Sequence, residues 1–176
     1  MRTEDIREAD DYPGIRVHLL ANYEKMSSPM TVDVTTGDKI TPESVEYSYP
    51  LLLDDRNIAI MSYPLATTLA EKLETAISRS VANTRSRDYY DLHTLWLTRR
   101  DEVKPDVPRD ALAATAERRG SHVAMGNYRE VMAQVTSDDG TLSLWAAYAR
   151  RYPYVGDMTL GEACGTVVAI MEAVGW

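Results

Sequence analysis

Three charged residues stand out because they lie among apolar positions: Lys72, Asp88 and Asp33. An ammonium group at the edge of a cleft can bind a phosphate. A carboxylate on a sheet can ligate Mg²⁺, which prefers one or two carboxylates together with substrate phosphates. Phosphate binding with a magnesium ion is therefore the chemistry that these residue types permit. Whether they act together depends on the elements that carry them, and the periodicity of the sequence indicates those elements.

Lys72 lies in a stretch with helical periodicity that runs from Leu65 to Arg79. Leucine, isoleucine and alanine recur there at about 100° per residue and form one apolar stripe. Lys72 falls at the margin of this stripe, with Arg79 close by on the same edge. Two interpretations stay open. Lys72 is either a lysine whose stem covers the core margin while its ammonium reaches water, or a cation held over a cleft to meet a phosphate.

Asp88 lies in the segment NTRSRDYYDL and begins a second helical pattern, which runs to about residue 99. On a helical wheel it falls inside the apolar arc, and its carboxylate needs a partner because burying an unpaired charge is costly. Backbone N–H groups at an N-cap or in a first helical turn are one candidate. An ion pair with Arg85 or Arg87 is another, and half of a nucleotide site is the third. Asp91 lies further round the helix, and we expect it at the surface.

Asp33 lies in one of two segments, 14–23 and 30–36, that alternate between apolar and polar residues. This alternation predicts half-buried strands, and the short connector between them predicts an antiparallel hairpin. Asp33 falls on the polar face, where Arg16 and His18 are candidate neighbours. The alternatives are a cross-strand salt bridge, worth about 0.5 kcal/mol, and a metal-ligating carboxylate.

The rest of the chain separates strands from helices. We expect a short strand near residues 6–8, a mostly irregular segment at 37–57 and a short buried strand at 58–64. Further helical patterns follow near residues 109–119, 127–137, 141–151 and 159–174. Strands first and helices afterwards predict an α+β fold. We place a sheet-containing lobe at 1–64 and a helical lobe at 65–176, packed together as one unit.

Composition excludes several classes of protein. The net charge of −8 argues against broad, sequence-independent coating of DNA, but it permits a local basic pocket. Cys164 is the only cysteine among 176 residues, which excludes an internal disulfide and a cysteine zinc site. The acidic, polar start excludes a secretory signal, so we expect a cytoplasmic protein. We expect no membrane partner, because no apolar run approaches the ~18 residues that span a bilayer.

Several segments together resemble the AbiEii/AbiGii-type toxins, a family with the nucleotidyltransferase fold. The resemblance rests on YPGIRVHLLANYEK, MTVDVTTGDKITP and YPLATTLAEKLETAISRSVANTRSRDYYDLHTL, and above all on AEK followed by R-x-R-D-x-x-D-L. It covers roughly residues 1–100 and extends loosely to LWAAYARRYPY in the tail. It implies a partial nucleotidyltransferase-fold sheet, antiparallel or mixed, followed by a C-terminal helical bundle. It also implies transfer of a nucleotide from a nucleoside triphosphate, with Mg²⁺, to an acceptor.

The same resemblance assigns roles to single residues. The segment VDV matches the strand acid of the family, which makes Asp33 a metal ligand. The segment AEK places Lys72 on the phosphate-contacting lysine, and RSRDYYD places Asp88 on the essential late aspartate, so we expect both to be catalytic. The residues expected to bind the nucleotide cofactor are Arg16, Arg79 and Arg85.

The first motif of the family, a Gly-Gly or Gly-Ser turn followed by a strand with D-x-D, has no counterpart in this sequence. We therefore expect a nucleotidyltransferase that corresponds to the latter two-thirds of a family member and is incomplete or inactive as this chain. The alternative is a non-catalytic module that binds a nucleotide, RNA or an antitoxin. The expected partners are a nucleotide, tRNA or another RNA, an antitoxin protein, and a second copy of the chain, because a sheet that lacks a strand has an open edge.

Overall fold

A computed structural model of the chain describes residues 2–6, 14–35, 40–102 and 104–176. Within these ranges the fold is α+β, as predicted, with five strands in two small antiparallel sheets and seven α-helices. The chain divides into two compact units, Met1–Lys39 and Ile40–Trp176. We predicted a lobe boundary between residues 64 and 65. That division into lobes remains a prediction; the compact units place the strands at 45–62 with the helices.

The first unit contains a three-stranded antiparallel sheet in the order β1-β2-β3. Its strands are β1 (Arg2–Ile6), β2 (Gly14–Tyr23) and β3 (Met26–Thr35). The predicted hairpin is confirmed, but β3 begins at Met26 rather than at residue 30. The stretch before residue 30 contains Pro29, and a proline there favours a loop over a strand. An edge strand such as β3 tolerates proline, because the missing N–H can face away from the ladder. The strand predicted near residue 6 ends at Ile6, and the rest of that prediction lies outside the described residues.

The register of β2 and β3 places apolar side chains on one face and polar ones on the other. Ile15 pairs with Val34, and Arg16 pairs with Asp33. Successive side chains of a strand point to opposite faces, so these two pairs lie on different sides of the sheet. Gly14 begins β2, where a Cβ atom would lie 2.9 Å from Cγ2 of Thr35 and 3.0 Å from the carbonyl oxygen of Val34. Only glycine permits this close approach.

The second unit begins with a two-stranded hairpin of β4 (Val45–Pro50) and β5 (Asn57–Ser62). The prediction of mostly irregular structure at 37–57 is wrong for β4. The prediction of a buried strand at 58–64 is wrong in burial, since Ile58 is 47% exposed and Ile60 is 40% exposed. The error in burial has a structural cause. In the described residues β5 pairs only with β4, and a two-stranded ribbon has no second layer to cover its side chains.

In its described residues, seven α-helices complete the second unit. They are α1 (Leu65–Arg79), α2 (Ser86–Arg99), α3 (Asp106–Arg119), α4 (His122–Gly126), α5 (Tyr128–Ser137), α6 (Asp139–Arg151) and α7 (Leu160–Ala173). Every predicted helix is present, and α4 is additional. Local chemistry fixes several ends. The Asp138 side chain accepts a hydrogen bond of 2.8 Å from the Thr141 N–H at the start of α6, and Thr159 with Glu162 forms a capping box at the start of α7.

The core of the second unit lies around α1. Three of the four leucine and isoleucine positions of its predicted stripe are almost completely buried, as are its alanines, and Leu65 is partly buried. Helix α1 packs against α3. Glu74 of α1 is also buried, and its carboxylate is paired with Arg119 of α3, as is that of Glu71. On its other side α1 packs against α2, which in turn packs against α7. This arrangement holds Lys72 and the start of α2 in a fixed relation.

None of the described helices combines the length and the apolar character needed to cross a membrane.

Candidate functional site

Lys72 connects two helices through two ion pairs. Its Nζ atom lies 3.0 Å from Oδ1 of Asp88 and 2.7 Å from Oδ2 of Asp91. The two aspartates are three residues apart on α2, so they share one face of that helix. The prediction that Asp91 is a surface acid is wrong: its side chain is 23% exposed, because α1 packs beside α2 and brings the ammonium to it. An ammonium has three N–H donors, and these contacts use two of them.

Asp88 is a buried carboxylate with cationic partners. Its side chain is 2% exposed. It is the third residue of α2 and not the N-cap, a position that Arg85 occupies. Arg85 Nη2 donates to Oδ1 at 3.2 Å, which confirms the predicted ion pair. Oδ2 has no hydrogen-bond partner in the described ranges. Arg85 Nε lies 2.9 Å from it, so that contact is electrostatic.

A pocket of about 570 Å³ opens beside these ion pairs. This volume is in the usual range for small-molecule sites. The charged residues that line it are Lys72, Arg85, Arg87, Asp88, Asp91 and Arg151. Four are basic and two are acidic, which gives a local charge of +2 in a chain whose net charge is −8. The pocket is therefore a basic area in an acidic protein, and it attracts anions.

One wall of the pocket is aromatic and comes from the end of α6. Tyr148 and Tyr152 line it, and Tyr148 exchanges a hydrogen bond of 3.0 Å with the Tyr154 hydroxyl. Burial raises the pKa of Tyr148, and the hydrogen bond and the charge of Asp91 add to this shift, so its hydroxyl is neutral near pH 7. Our sequence reasoning missed this wall. The available signal was LWAAYARRYPY, where Tyr148 and Tyr152 are four residues apart and share a helix face.

Arg79 lies apart from this pocket. It occupies the last turn of α1 and is exposed. It is two helical turns from Lys72, or about 10 Å along the axis. Arg79 is absent from the lining that the described part of the chain gives the pocket. The structure therefore brings Arg85 together with Lys72 and Asp88 but leaves Arg79 outside. At its position the positive charge complements the C-terminal end of the helix dipole.

Asp33 and Arg16 form a separate ion pair in the first unit. Arg16 Nε donates to Oδ1 of Asp33 at 2.7 Å, and Nη2 donates to Oδ2 at 2.9 Å. Arg16 Nη1 also lies 3.6 Å from Glu4. The hydrogen bond and charge of Asp33 raise the pKa of the Arg16 guanidinium. The predicted cross-strand salt bridge is confirmed. His18, the other candidate neighbour, pairs in register with Thr31.

The described residues do not fit the magnesium ion that the resemblance implies. In residues 2–6, 14–35, 40–102 and 104–176, no three His, Cys, Asp or Glu side chains lie close enough to hold a metal. Both oxygens of Asp33 accept hydrogen bonds from Arg16. Asp88 and Asp91 flank the Lys72 ammonium, which occupies the place that a cation would take. We therefore derive no chemical step through a metal.

A comparison with models of protein families identifies the family of this chain. The family model described as "Nucleotidyl transferase AbiEii toxin, Type IV TA system" matches residues 1–162. The chain belongs to the AbiEii family. No curated protein and no solved structure matches it. In this AbiEii chain the matched range contains every predicted site residue, and it also contains Tyr148 and Tyr152 of the aromatic wall.

Proposed function

We propose that this chain binds a nucleoside triphosphate in the pocket formed by α1, α2 and the end of α6. We further propose that Lys72 and Asp88 serve nucleotide transfer there. The observation that carries the proposal is the 3.0 Å contact between Lys72 of α1 and Asp88 of α2, made beside a pocket with three arginines. The two residues are those that the resemblance assigns to catalysis, and they meet although they lie sixteen positions apart.

The charge of the pocket suits a triphosphate. Arginine offers a planar fork of N–H donors that matches phosphate oxygens. The side chains of Arg85 and Arg87 are 52% and 75% exposed, so they can turn to a ligand at small cost. Lys72 retains one N–H beyond its two aspartate contacts. These groups bind and orient the phosphates.

Asp88 has two roles in this proposal. In the absence of ligand it holds Lys72 and Arg85 in place through ion pairs. Once these cations turn to the phosphates, its carboxylate can accept the proton of an attacking hydroxyl. The bond between that oxygen and the α-phosphorus forms as the bond to the leaving pyrophosphate breaks.

A second candidate is a module that binds a nucleotide, an RNA or an antitoxin without chemistry. The Arg16–Asp33 pair favours it, because that arginine engages both oxygens of the carboxylate that the resemblance assigns to the metal. The expectation that this chain is inactive by itself remains a prediction.

Equilibrium dialysis with labelled nucleoside triphosphates tests the binding that the first candidate requires and that a nucleotide-binding form of the second shares. We expect Lys72→Gln to weaken binding by about tenfold or more, because a phosphate loses a direct charged donor. Arg79→Gln is the matched control, since it removes an exposed cation from the same helix outside the pocket, and we expect no change. No binding by the wild-type chain would contradict the proposed site.

Incubation with Mg²⁺, labelled nucleoside triphosphates and tRNA separates the two candidates. Label transfer that is abolished by Lys72→Gln or Asp88→Asn assigns the chain to the transferases. Binding without transfer assigns it to the non-catalytic modules.

We also propose partners and a location for this toxin-family chain: an antitoxin protein, tRNA or another RNA as acceptor, and the cytoplasm. Self-association is a further prediction. Light scattering at increasing protein concentration tests it, and a constant monomer mass would contradict it.

A further inference from the structure

The segment LWAAYARRYPY contributes a group of tyrosines that the proposed phosphate chemistry does not use. We call Tyr148 and Tyr152 the tyrosine wall, because both line the same pocket as the ion-paired residues. Their ring centroids are 5.0 Å apart at an interplanar angle of 54°. The wall therefore presents aromatic surface to the same space that the basic side chains enter.

Neighbouring rings hold the tyrosine wall in place. Tyr154 stacks on Tyr152 at 5.4 Å with an angle of 27°, and its hydroxyl lies 3.0 Å from that of Tyr148. Tyr90 of α2 contacts both Tyr148 and Tyr154, at 6.3 Å and 5.0 Å between centroids. Contacts from two helices and the following turn fix the rings before a ligand arrives. A fixed surface loses little conformational entropy on binding.

Arg151 lies over the ring of Tyr152, beside the tyrosine wall. Its Cζ atom lies 5.4 Å over the ring of Tyr152, and its side chain is exposed. Cation–π contacts at exposed sites are weak. A planar ring can therefore replace the guanidinium over Tyr152, and Arg151, which also lines the pocket, can then turn to a phosphate.

We propose that the tyrosine wall is the nucleobase subsite of this pocket. The inference rests on the proposed nucleotide binding and extends it: the cations hold phosphates, and Tyr152 with Tyr148 stacks the attached base. Aromatic rings beside a cationic surface form the combination that binds single-stranded nucleic acids and nucleotides. Every base has a π-face, so stacking discriminates little between bases. We therefore expect the four nucleoside triphosphates to bind within a few-fold of one another.

The base has two possible sources with the same chemistry, a nucleoside triphosphate and the unpaired end of an acceptor RNA. Three probes separate them and also separate base binding from phosphate binding. They are ATP, inorganic tripolyphosphate, which has no base, and the trinucleotide CpCpA, which has no triphosphate. Dissociation constants for all three are measured by titration with the full chain.

Tyr152→Leu and Tyr152→Phe form the decisive pair of variants. Leucine removes the π-face, and we expect ATP to bind about tenfold more weakly, the size of one base–aromatic contact, while tripolyphosphate binding is unchanged. Phenylalanine keeps the ring, and we expect affinity close to wild type. Tyr49→Leu is the control, because it removes an exposed tyrosine of β4 that is not part of the wall. Unchanged tripolyphosphate binding also shows that the leucine variant has kept its pocket.

Each outcome either supports or overturns the proposed nucleobase subsite. Weaker CpCpA binding with unchanged ATP binding supports the subsite and assigns the base to the RNA. Equal ATP affinity in wild type and Tyr152→Leu, with CpCpA also unaffected, overturns the subsite and leaves the proposed phosphate site standing. Equal weakening of ATP and tripolyphosphate overturns it as well, because the effect is then on phosphates. Failure of wild-type protein to bind either ATP or tripolyphosphate overturns the proposed function, and the subsite with it.

Discussion

The two units of this protein each contain an acid–base pair that the sequence singled out, and the pairs differ in surroundings. The pair of Arg16 and Asp33 lies on an open sheet face, with side chains 39% and 46% exposed. The group around Asp88 lies between helices, and that carboxylate is 2% exposed. Asp33 accepts two hydrogen bonds from one arginine, whereas Asp88 contacts a lysine of another helix and an arginine at the N-terminus of its own helix.

This difference explains why one pair lies in a candidate site and the other is an ordinary salt bridge. Exposed ion pairs contribute about 0–1 kcal/mol to stability, because water stabilises the two separate charges almost as well as they stabilise each other. A buried carboxylate must have partners, and losing one is costly. Cations paired with a buried acid stay beside the pocket, so binding a ligand requires only a local turn of their side chains.

The largest expected effect comes from alkaline pH on the helical unit. Burial raises the pKa of Tyr89 and that of Cys164 to about 12 in each case. Above pH 9 the unfolded chain releases these protons while the folded chain retains them. Stability is therefore complete below pH 9 and falls by several kcal/mol as pH approaches 12. Urea unfolding followed by tryptophan fluorescence measures this unit alone, because all three tryptophans lie in it.

Cys164→Ala provides the control for this pH effect. It removes one titrating group, so the fall in stability between pH 9 and pH 12 should become shallower. Equal urea midpoints at pH 8 and pH 11 in the wild type would contradict the burial argument.

Asp88→Asn is expected to have the next largest effect, a loss of about 2 kcal/mol in the free energy of unfolding. Removing one partner of a buried pair costs about 3–5 kcal/mol. The value here is smaller because Lys72 keeps Asp91 and the Arg85 side chain is 52% exposed. Urea midpoints from tryptophan fluorescence check the change. A loss below about 0.5 kcal/mol would place this group with exposed salt bridges.

Asp91→Asn should cost less, about 1 kcal/mol, because Asp91 is 23% exposed and Lys72 keeps its contact with Asp88. Asp101→Asn is the matched control. Asp101 also pairs with an arginine, Arg100, but its side chain is 99% exposed, so its replacement should leave the urea midpoint unchanged. Equal losses in the two variants would mean that burial does not set the strength of these pairs.

Asp33→Asn is expected to have the smallest effect, below about 0.5 kcal/mol, because the pair is cross-strand and exposed. Amide hydrogen exchange across residues 14–35 measures local opening of the hairpin, where the unit has no tryptophan. The difference from wild type should shrink further in 1 M salt, where exposed charges are screened. A large, salt-independent loss of protection would show that this pair is worth as much as the buried one.

The sequence predicted most of the helices and the faces of one hairpin because those features have local causes. Helix α1 begins and ends where its apolar period begins and ends, and the alternation of β2 and β3 places Arg16 and Asp33 on one face. The burial of Asp88 was also readable, since a helical wheel places it among apolar neighbours. Strand β4 was missed although VEYSY alternates, because the prolines and the many polar residues of the segment 37–57 favoured a loop.

The site shows the limit of local information. Periodicity alone places Lys72 at a core margin and Asp88 among apolar neighbours, since it fixes which way a side chain points within its own helix. The packing of the helices brings these two residues together, adds Asp91 to them, and places Tyr148, Arg151 and Tyr152 in the pocket lining. The reason is physical: contacts between helices depend on how their surfaces pack, and that packing is set by side chains distributed over the whole unit.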